Sequence, residues 1–383
     1  MAVKKRLVIN FTGYEGLHPD AVRGRYLNSA ADFNSLWHAK TKAGPMLPEG
    51  PNIASMHLET SGSDWAVETE FCQYGTADLF DVYSSRNVVT RFATGMMAFL
   101  DILLTGTFWR YLRTSWRFCI FFMWPFVLAC FISLVGLGIG LGPLWGGFSA
   151  YHLLWTVPLA LAVARLLIRW PGQKVFLSYL LDDWAAASDR IYRRNAALLE
   201  RRAAFAAHLA RKLRESDADE VLIIGHSLGT VPAVEAIADV WRSEPQLMKR
   251  RPISLMATGS CLLMIAFHPR AAQLREDVRV VLQETPVLWT EFQTIADIVH
   301  FYKSESGNGS WHCSAQRSHY PTHSLQTYSQ CQALRPGAEE LLQDAPIVSE
   351  GRANPQPLRY GYVCAGAICV PRPCAERKPG ASG

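Results

Sequence analysis

The 383-residue chain reads as an α/β protein: a mostly parallel sheet with helices on both faces, interrupted by an inserted pair of apolar helices. Three observations carry this reading. Short β-branched runs such as Arg6–Phe11 and Glu220–Ile224 lead straight into glycine-containing loops, as buried parallel strands do. From Phe118 to Leu141 no residue is charged, a run long enough to cross the roughly 30 Å hydrocarbon core as a helix. Finally, Gly225-His226-Ser227-Leu228-Gly229 stands between a strand-like and a helix-like segment.

The composition agrees. Hydrophobic residues make up 49% and charged residues 19%, which is too apolar for a disordered chain. A net charge of +5 is a mild excess rather than a nucleic-acid footprint, so no nucleic-acid partner is expected. Nine cysteines in a chain this long and core-rich do not call for a disulfide scaffold.

Along the chain, Met1–Lys5 is basic, but the apolar run after it is too short for a signal peptide. The N-terminus is therefore expected to begin the fold and to stay on the side where it was made. Trp65–Phe71 alternates and predicts a second strand; Asp78 and Asp81 follow in a looser polar segment.

A second apolar stretch, Phe148–Ala164, is shorter and interrupted by Pro158. Membrane spans are expected at about 118–141 and 148–168. Gly140, Gly142, Pro143, Gly146 and Gly147 supply the turn between them. Arg110, Arg113 and Arg117 precede the first span, and Arg165 and Arg169 close the second, so both termini should be cytoplasmic. The expected place is the plasma (inner) membrane, multi-pass, with the lipid bilayer as partner. Trp116, Trp145, Trp155 and Trp170 fall near the inferred interfaces. The competing reading is a buried helical pair in a soluble core, which a charge-free run of this length exceeds.

After the hairpin, Arg193–Leu213 has helical periodicity, Ser216–Asp219 breaks it, and Glu220–Ile224 is a strand. Gly-His-Ser-Leu-Gly follows, and a helix starts at Val231. This is the strand–turn–helix context of a nucleophile elbow: the turn is tight enough to need Gly225 and Gly229, with His226 and Leu228 flanking an exposed Ser227. The serine hydroxyl then lies at a helix N-terminus, where backbone N–H groups favour a developing anion, and the Leu228 N–H is one candidate oxyanion donor. The bland reading is a structural turn whose serine is inert.

On the elbow, on Phe11-Thr12-Gly13-Tyr14-Glu15 after the first strand, and on Trp289-Thr290-Glu291-Phe292-Gln293 ahead of Asp297, residues 5–303 resemble the α/β-hydrolase superfamily. The chain looks most like bacterial membrane-anchored hydrolase-like proteins with a transmembrane hairpin inserted between early strands. The resemblance implies a second oxyanion N–H from the Gly13–Tyr14 loop, assigned to Tyr14. It also implies the triad order serine, acid, histidine.

The layout after the elbow agrees with that order. Ile253–Ser260 reads as a strand ending in a glycine turn, Ala271–Leu282 as an amphipathic helix, and Val287–Trp289 as the next strand. Asp297 lies just past it and is assigned as the acid that orients the base. Glu291 on the strand and Asp344 in the tail are its rivals, and a helix-capping aspartate is the plain alternative. His226 sits in the elbow and His300 lies too close to Asp297. His312, His319 and His323 remain as bases, with His323 best separated from the acid. These histidines with Cys313 lack the C-x₂-C pairing of a zinc site, so no metal and no organic cofactor is expected.

From about Ser304 apolar periodicity vanishes and five of the nine cysteines appear. Two readings stand. One is a genuine coreless tail. The other is translation out of frame: under one permitted codon choice, a one-base shift turns His319–Leu325, Glu339–Pro346 and Pro357–Cys364 into foldable strings. The free wobble base becomes the middle base of each new codon, so codon choice partly sets their polarity. In that case the family's base histidine is encoded but absent from this polypeptide.

The chain thus divides into 1–100, the N-terminal part of the α/β domain; 101–170, the hairpin; 171–303, the remainder with the elbow; and 304–383, the irregular tail. The expected function is a membrane-anchored serine hydrolase acting on a small acyl-containing substrate, an ester, thioester or amide. The alternative is a non-catalytic scaffold or binding protein on the same fold.

Overall fold

The computed structural model describes residues 3–293, 299 and 301, and the pair 323–324. In chain order the elements are β1 (Lys5–Phe11), α1 (Pro19–Trp37), β2 (Lys40–Ala43), β3 (Leu47–Gly50), β4 (Ile53–Ser61), β5 (Ala66–Tyr74), α2 (Ala77–Ser84) and α3 (Val88–Leu104). There follow α4 (Thr107–Thr114), α5 (Trp116–Trp145), α6 (Leu153–Arg169), α7 (Pro171–Lys174), α8 (Leu177–Ile191) and α9 (Ala196–Glu215). The rest are β6 (Glu220–His226), α10 (Thr230–Ser243), α11 (Pro245–Lys249), β7 (Ile253–Thr258), α12 (Leu262–Ala266), α13 (Ala272–Gln283), β8 (Leu288–Gln293) and β9 (His323–Ser324).

The strands form one mixed, mostly parallel sheet in the order β2-β4-β5-β1-β6-β7-β8-β9, with β3 also paired to β4. From β5 to β9 every pairing is parallel, whereas β4 runs antiparallel to β2, β3 and β5. The apolar runs explain the centre. Six of the seven residues of β1 and all six of β7 are buried, as strands covered on both faces must be.

Alternation then splits β1 between two cores. Leu7, Ile9 and Phe11 pack with Phe205 and Leu209 of α9, Ile237 of α10 and Trp184 of α8. Val8, with Leu222 and Met256, faces Val22, Tyr26 and Phe33 of α1. Helices therefore cover both faces, and the site-bearing loops are left at the carboxyl ends of the parallel strands, where α/β sheets bind ligands.

Among the described residues, two helices are long and apolar enough to cross a membrane: α5, and the 20 residues Ala150–Arg169 formed by a short 3₁₀ turn and α6. At 1.5 Å per residue the 30 residues of α5 extend about 45 Å. The helices meet closely where Gly140 faces Ala160, and the Thr156 hydroxyl donates to the Gly140 carbonyl at 2.9 Å. Small residues at a helix crossing allow such an approach.

The hairpin differs from expectation in two ways. Gly140, Gly142 and Pro143 lie inside α5 rather than in the turn, which narrows to Gly146–Ser149 with Gly147 at φ +73°. A helix that must satisfy its own backbone bonds continues through such residues rather than opening among apolar neighbours. In addition, α5 starts at Trp116, and its first turns belong to the protein core. The Phe118 and Phe301 rings stack at 4.0 Å, and Phe122 meets Trp184 edge-on at 4.7 Å.

The segment of Asp78 and Asp81, expected to be loose, is the helix α2. Leu79 and Tyr83, one turn apart, bury its inner face, while Asp78 in its first turn pairs with Arg201.

Candidate functional site

Parallel register sets the site. Phe11 at the end of β1 is level with Gly225 near the end of β6 and with Tyr74 at the end of β5. The chain leaving β1 and the chain leaving β6 therefore emerge side by side.

After β6 the backbone turns sharply. Ser227 adopts φ +53°, the left-handed region that a non-glycine residue enters at a cost of about 1–3 kcal/mol. A single 3₁₀ turn, Ser227–Gly229, then feeds α10. The flanking glycines are sterically required. A Cβ on Gly225 would lie 2.7 Å from the Thr230 Cα, and one on Gly229 would lie 2.3 Å from the Phe11 carbonyl oxygen. Thus the helix crosses back over the strand end with no room for a side chain at either position.

The loop after β1 closes over the serine. A Cβ on Gly13 would stand 3.1 Å from the Ser227 Cβ and 3.6 Å from its Oγ. This loop is held from three sides. Thr76 Oγ1 donates to the Gly13 carbonyl at 2.8 Å, the Tyr179 hydroxyl donates to the Tyr14 carbonyl, and Glu15 reaches both His226 (3.3 Å) and Arg25 (2.9 Å). Burial pulls the Glu15 carboxyl upward, but His226 and Arg25 outweigh it and leave the group below its ordinary range.

Of the residues expected from the sequence, Gly225, His226, Ser227, Leu228, Gly229 and Tyr14 are thus brought together. The N–H of Leu228 lies in the first turn of its helix, where backbone donors have no intrahelical partner. Asp297 falls outside the described residues, as do His300, His312, His319, Cys313 and Asp344. For His323 the backbone alone is described. It pairs with Phe292, which is level with Thr258 and hence with His226, placing His323 three strand spacings, about 14 Å, along the same row of the sheet. Glu291, the rival acid, is buried on β8 beside Ala257 of β7.

Several neighbours were not foreseen. The Cys261 thiol lies 3.4 Å from Ser227 Oγ, and its backbone N–H donates to the Ser227 carbonyl at 3.2 Å. Above the loop, Tyr14 packs among Phe80, Tyr83 and Tyr179, with ring centroids 5.2–6.3 Å away. Its hydroxyl is buried without a hydrogen bond among the described residues. Burial raises the Tyr14 phenol, and the charges of Asp182 and Asp183 raise it further.

Asp183 is also buried, with one carboxylate oxygen unpartnered among the described residues. Burial, and then the neighbouring Asp182, push it up to about 7. Asp182 itself is held by Arg91 at 2.9 Å. The signal available in the sequence was the pair of adjacent acids directly after Leu180 and Leu181, with Tyr179 one turn before Asp183 on the same face.

Only one group among the described residues has metal-ligand geometry: Glu49, Glu70 and Cys72. Lys212 Nζ already lies between the two carboxylates, at 2.7 Å and 2.6 Å, so the place of a cation is taken by an ammonium.

Comparison with protein-family models, curated proteins and solved structures finds no match to this chain.

Proposed function

We propose that this chain is a membrane-anchored serine hydrolase of the α/β-hydrolase type, acting on an ester, thioester or amide through Ser227. One observation carries the reading: Ser227 sits at φ +53° between a parallel strand and a helix, with the Gly13–Tyr14 loop packed against it. Backbone strain of this kind persists only where surrounding structure enforces it, and it concentrates at functional positions.

In this reading Ser227 Oγ attacks the acyl carbonyl as a histidine accepts its proton. His323 is the assigned base and Asp297 the acid that orients it. The carbonyl oxygen, becoming an oxyanion, is received by the backbone N–H groups of Leu228 and Tyr14. Collapse expels the alcohol, thiol or amine, which takes the proton from the imidazolium. Water, deprotonated by the same histidine, then releases the acid and restores the serine. Fixing of the Gly13–Tyr14 loop by Thr76 and Tyr179 supports a preorganised oxyanion site.

Membrane anchoring is supported by the outer surface of the hairpin. Leu134, Leu137, Leu154 and Leu161 are more than half exposed on α5 and α6, an apolar surface that water does not favour. Trp116 and Trp145 stand exposed at the ends of α5, as interfacial residues do. Both chain ends are assigned to the cytoplasmic side of the plasma (inner) membrane.

Two measurements test the proposal. Hydrolysis of a series of p-nitrophenyl acyl esters by the full chain in detergent should disappear in Ser227→Ala. Full activity in that variant would remove Ser227 from the mechanism and favour the scaffold reading. The protein should stay in the pellet after alkaline carbonate extraction; release to the supernatant would make the hairpin a core element.

A further inference from the structure

A second polar site lies away from Ser227. Between the α8–α9 turn and the α10 and α13 helices is a cavity of about 60 Å³, whose charged lining is Asp189, Arg190, Arg193, Arg202, Glu235 and Arg270. At about 15 Å³ for a water molecule, this volume holds about four small groups.

The acids on its wall are already engaged. Glu235 accepts from Arg190 at 2.6 Å and faces Arg202 at 3.7 Å. Asp189 accepts from Arg194 at 2.9 Å and from the Tyr83 hydroxyl at 2.8 Å. Arg202 is held further by Asp239 at 2.5 Å and by Asp277 at 2.8 Å.

The remaining cations are not. Arg193 and Arg270 are exposed at the rim and have no acidic partner among the described residues. Arg190 Nε is buried and donates to nothing among them. A guanidinium N–H left buried without an acceptor is costly, and here it belongs to a residue lining a cavity rimmed by two unpaired guanidiniums. The turn that presents Arg193 is strained, with that residue at φ +55°.

The rim is also tied to the foot of the hairpin. Asp101, near the end of α3, accepts from the Tyr192 hydroxyl at 2.6 Å and faces His268 at 3.1 Å. Tyr192 immediately precedes Arg193, and His268 lies two residues before Arg270. Arg110 on α4 donates to the Phe267 carbonyl at 2.5 Å. Arg113 and Arg117 follow as the chain enters α5.

We infer that this cavity is a phosphate-binding site, formed by Arg190, Arg193 and Arg270 over the Arg202–Glu235 floor. A phosphate group offers several acceptor oxygens, enough for two rim guanidiniums and the Arg190 Nε–H together, whereas one carboxylate is satisfied by a single guanidinium fork. The phosphate arrives either as a phospholipid headgroup at the membrane surface or as a soluble phosphate. The site is independent of Ser227; the headgroup source alone rests on the hairpin spanning the bilayer.

Calorimetric titration of inorganic phosphate into the full chain, held in phosphate-free maltoside micelles, tests this inference. Saturable binding is expected. It should weaken at least about tenfold in R193N/R270Q, since charge-assisted hydrogen bonds are lost, and persist in reduced form in R193K/R270K. Asparagine is chosen because it tolerates the left-handed backbone at 193. Should the double variant fail to fold, Arg270→Gln alone carries the comparison.

Short-chain phosphatidic acid added to the micelles then separates the sources. Displacement of phosphate well below the phosphate concentration identifies a lipid headgroup, and its absence identifies a soluble phosphate. No saturable phosphate binding by the unaltered chain, or equal binding by R193N/R270Q, overturns the inference. The same titration on Ser227→Ala should be unchanged, so loss of the hydrolase reading would leave this result standing.

Discussion

Gly13 and Ser227 approach so closely that a methyl group on Gly13 would stand 3.1 Å from the Ser227 Cβ. Two loops from adjacent parallel strands, β1 and β6, are locked together at this contact. Any displacement of one is felt by the other. Gly13→Ala should therefore lower ester hydrolysis by on the order of 10²-fold, the usual size of losing an oxyanion donor. Thermal unfolding should change little, because the loop can give by a few tenths of an ångström. Steady-state kinetics and a melting curve on the same preparation check both halves.

Gly229 behaves differently. A Cβ there would lie 2.3 Å from the Phe11 carbonyl and 2.4 Å from that of Thr12, both backbone atoms of the β1 end. Gly229→Ala should lower unfolding free energy by about 1–3 kcal/mol or more, the range for overpacking. A denaturant titration with unchanged midpoint would show that α10 does not cross the strand end as described.

The buried acid on α8 sets a pH dependence. Asp183 has a folded pKa of about 7, above the 3.8 of an ordinary aspartate. Between those values the folded state binds the proton that the unfolded chain has released, so stability falls as pH rises from about 4 to about 7 and then levels. Asp183→Asn removes this dependence. It should raise the melting temperature relative to the unaltered protein at pH 8, with the difference shrinking as pH approaches 4. Parallel melting series across that range check the sign.

Glu15 acts in the opposite direction. Its folded pKa is lowered by His226 and Arg25 beyond what burial raises, so its contribution is present above the ordinary carboxylate range and lost as pH falls through the lowered value. Glu15→Gln should reduce kcat at neutral pH by loosening the loop against the elbow, with KM less affected. Equal loss in both would place Glu15 in substrate binding instead.

His323→Ala addresses the base. Loss of hydrolysis is expected together with loss of phosphonate labelling, because the same histidine must take the Ser227 proton in both reactions. An unchanged rate would move the base elsewhere. Sequencing the gene from the Asp297 codon to the stop would then distinguish a genuine tail from a shifted frame that leaves the histidine out of this polypeptide.

The elbow was legible in the sequence because its constraints are local. Gly225 and Gly229 are fixed by the turn itself, and the strand and helix on either side have clear periodicity. The hairpin was legible for the same reason, yet its inner end was not. Phe118, Phe122 and Phe126 read as membrane residues, whereas Trp184, Phe99 and Phe301 draw them into the core. Apolarity alone does not distinguish lipid from protein as a neighbour. Cys261 was invisible for a tertiary reason, since it reaches the site from an element distant in sequence, whereas Asp182 and Asp183 stood in the sequence as a pair of adjacent acids but not as neighbours of Tyr14. α1 and the antiparallel β2–β4 strands went unrecognised because their polar exposed faces dilute the apolar pattern.

The most direct test of the central claim is labelling of the folded full chain with a fluorophosphonate probe, with mass spectrometry to locate the adduct. The account predicts one adduct on Ser227, lost in Ser227→Ala and weakened in Gly13→Ala. A folded chain that takes no label, or one labelled equally after Ser227→Ala, would contradict it.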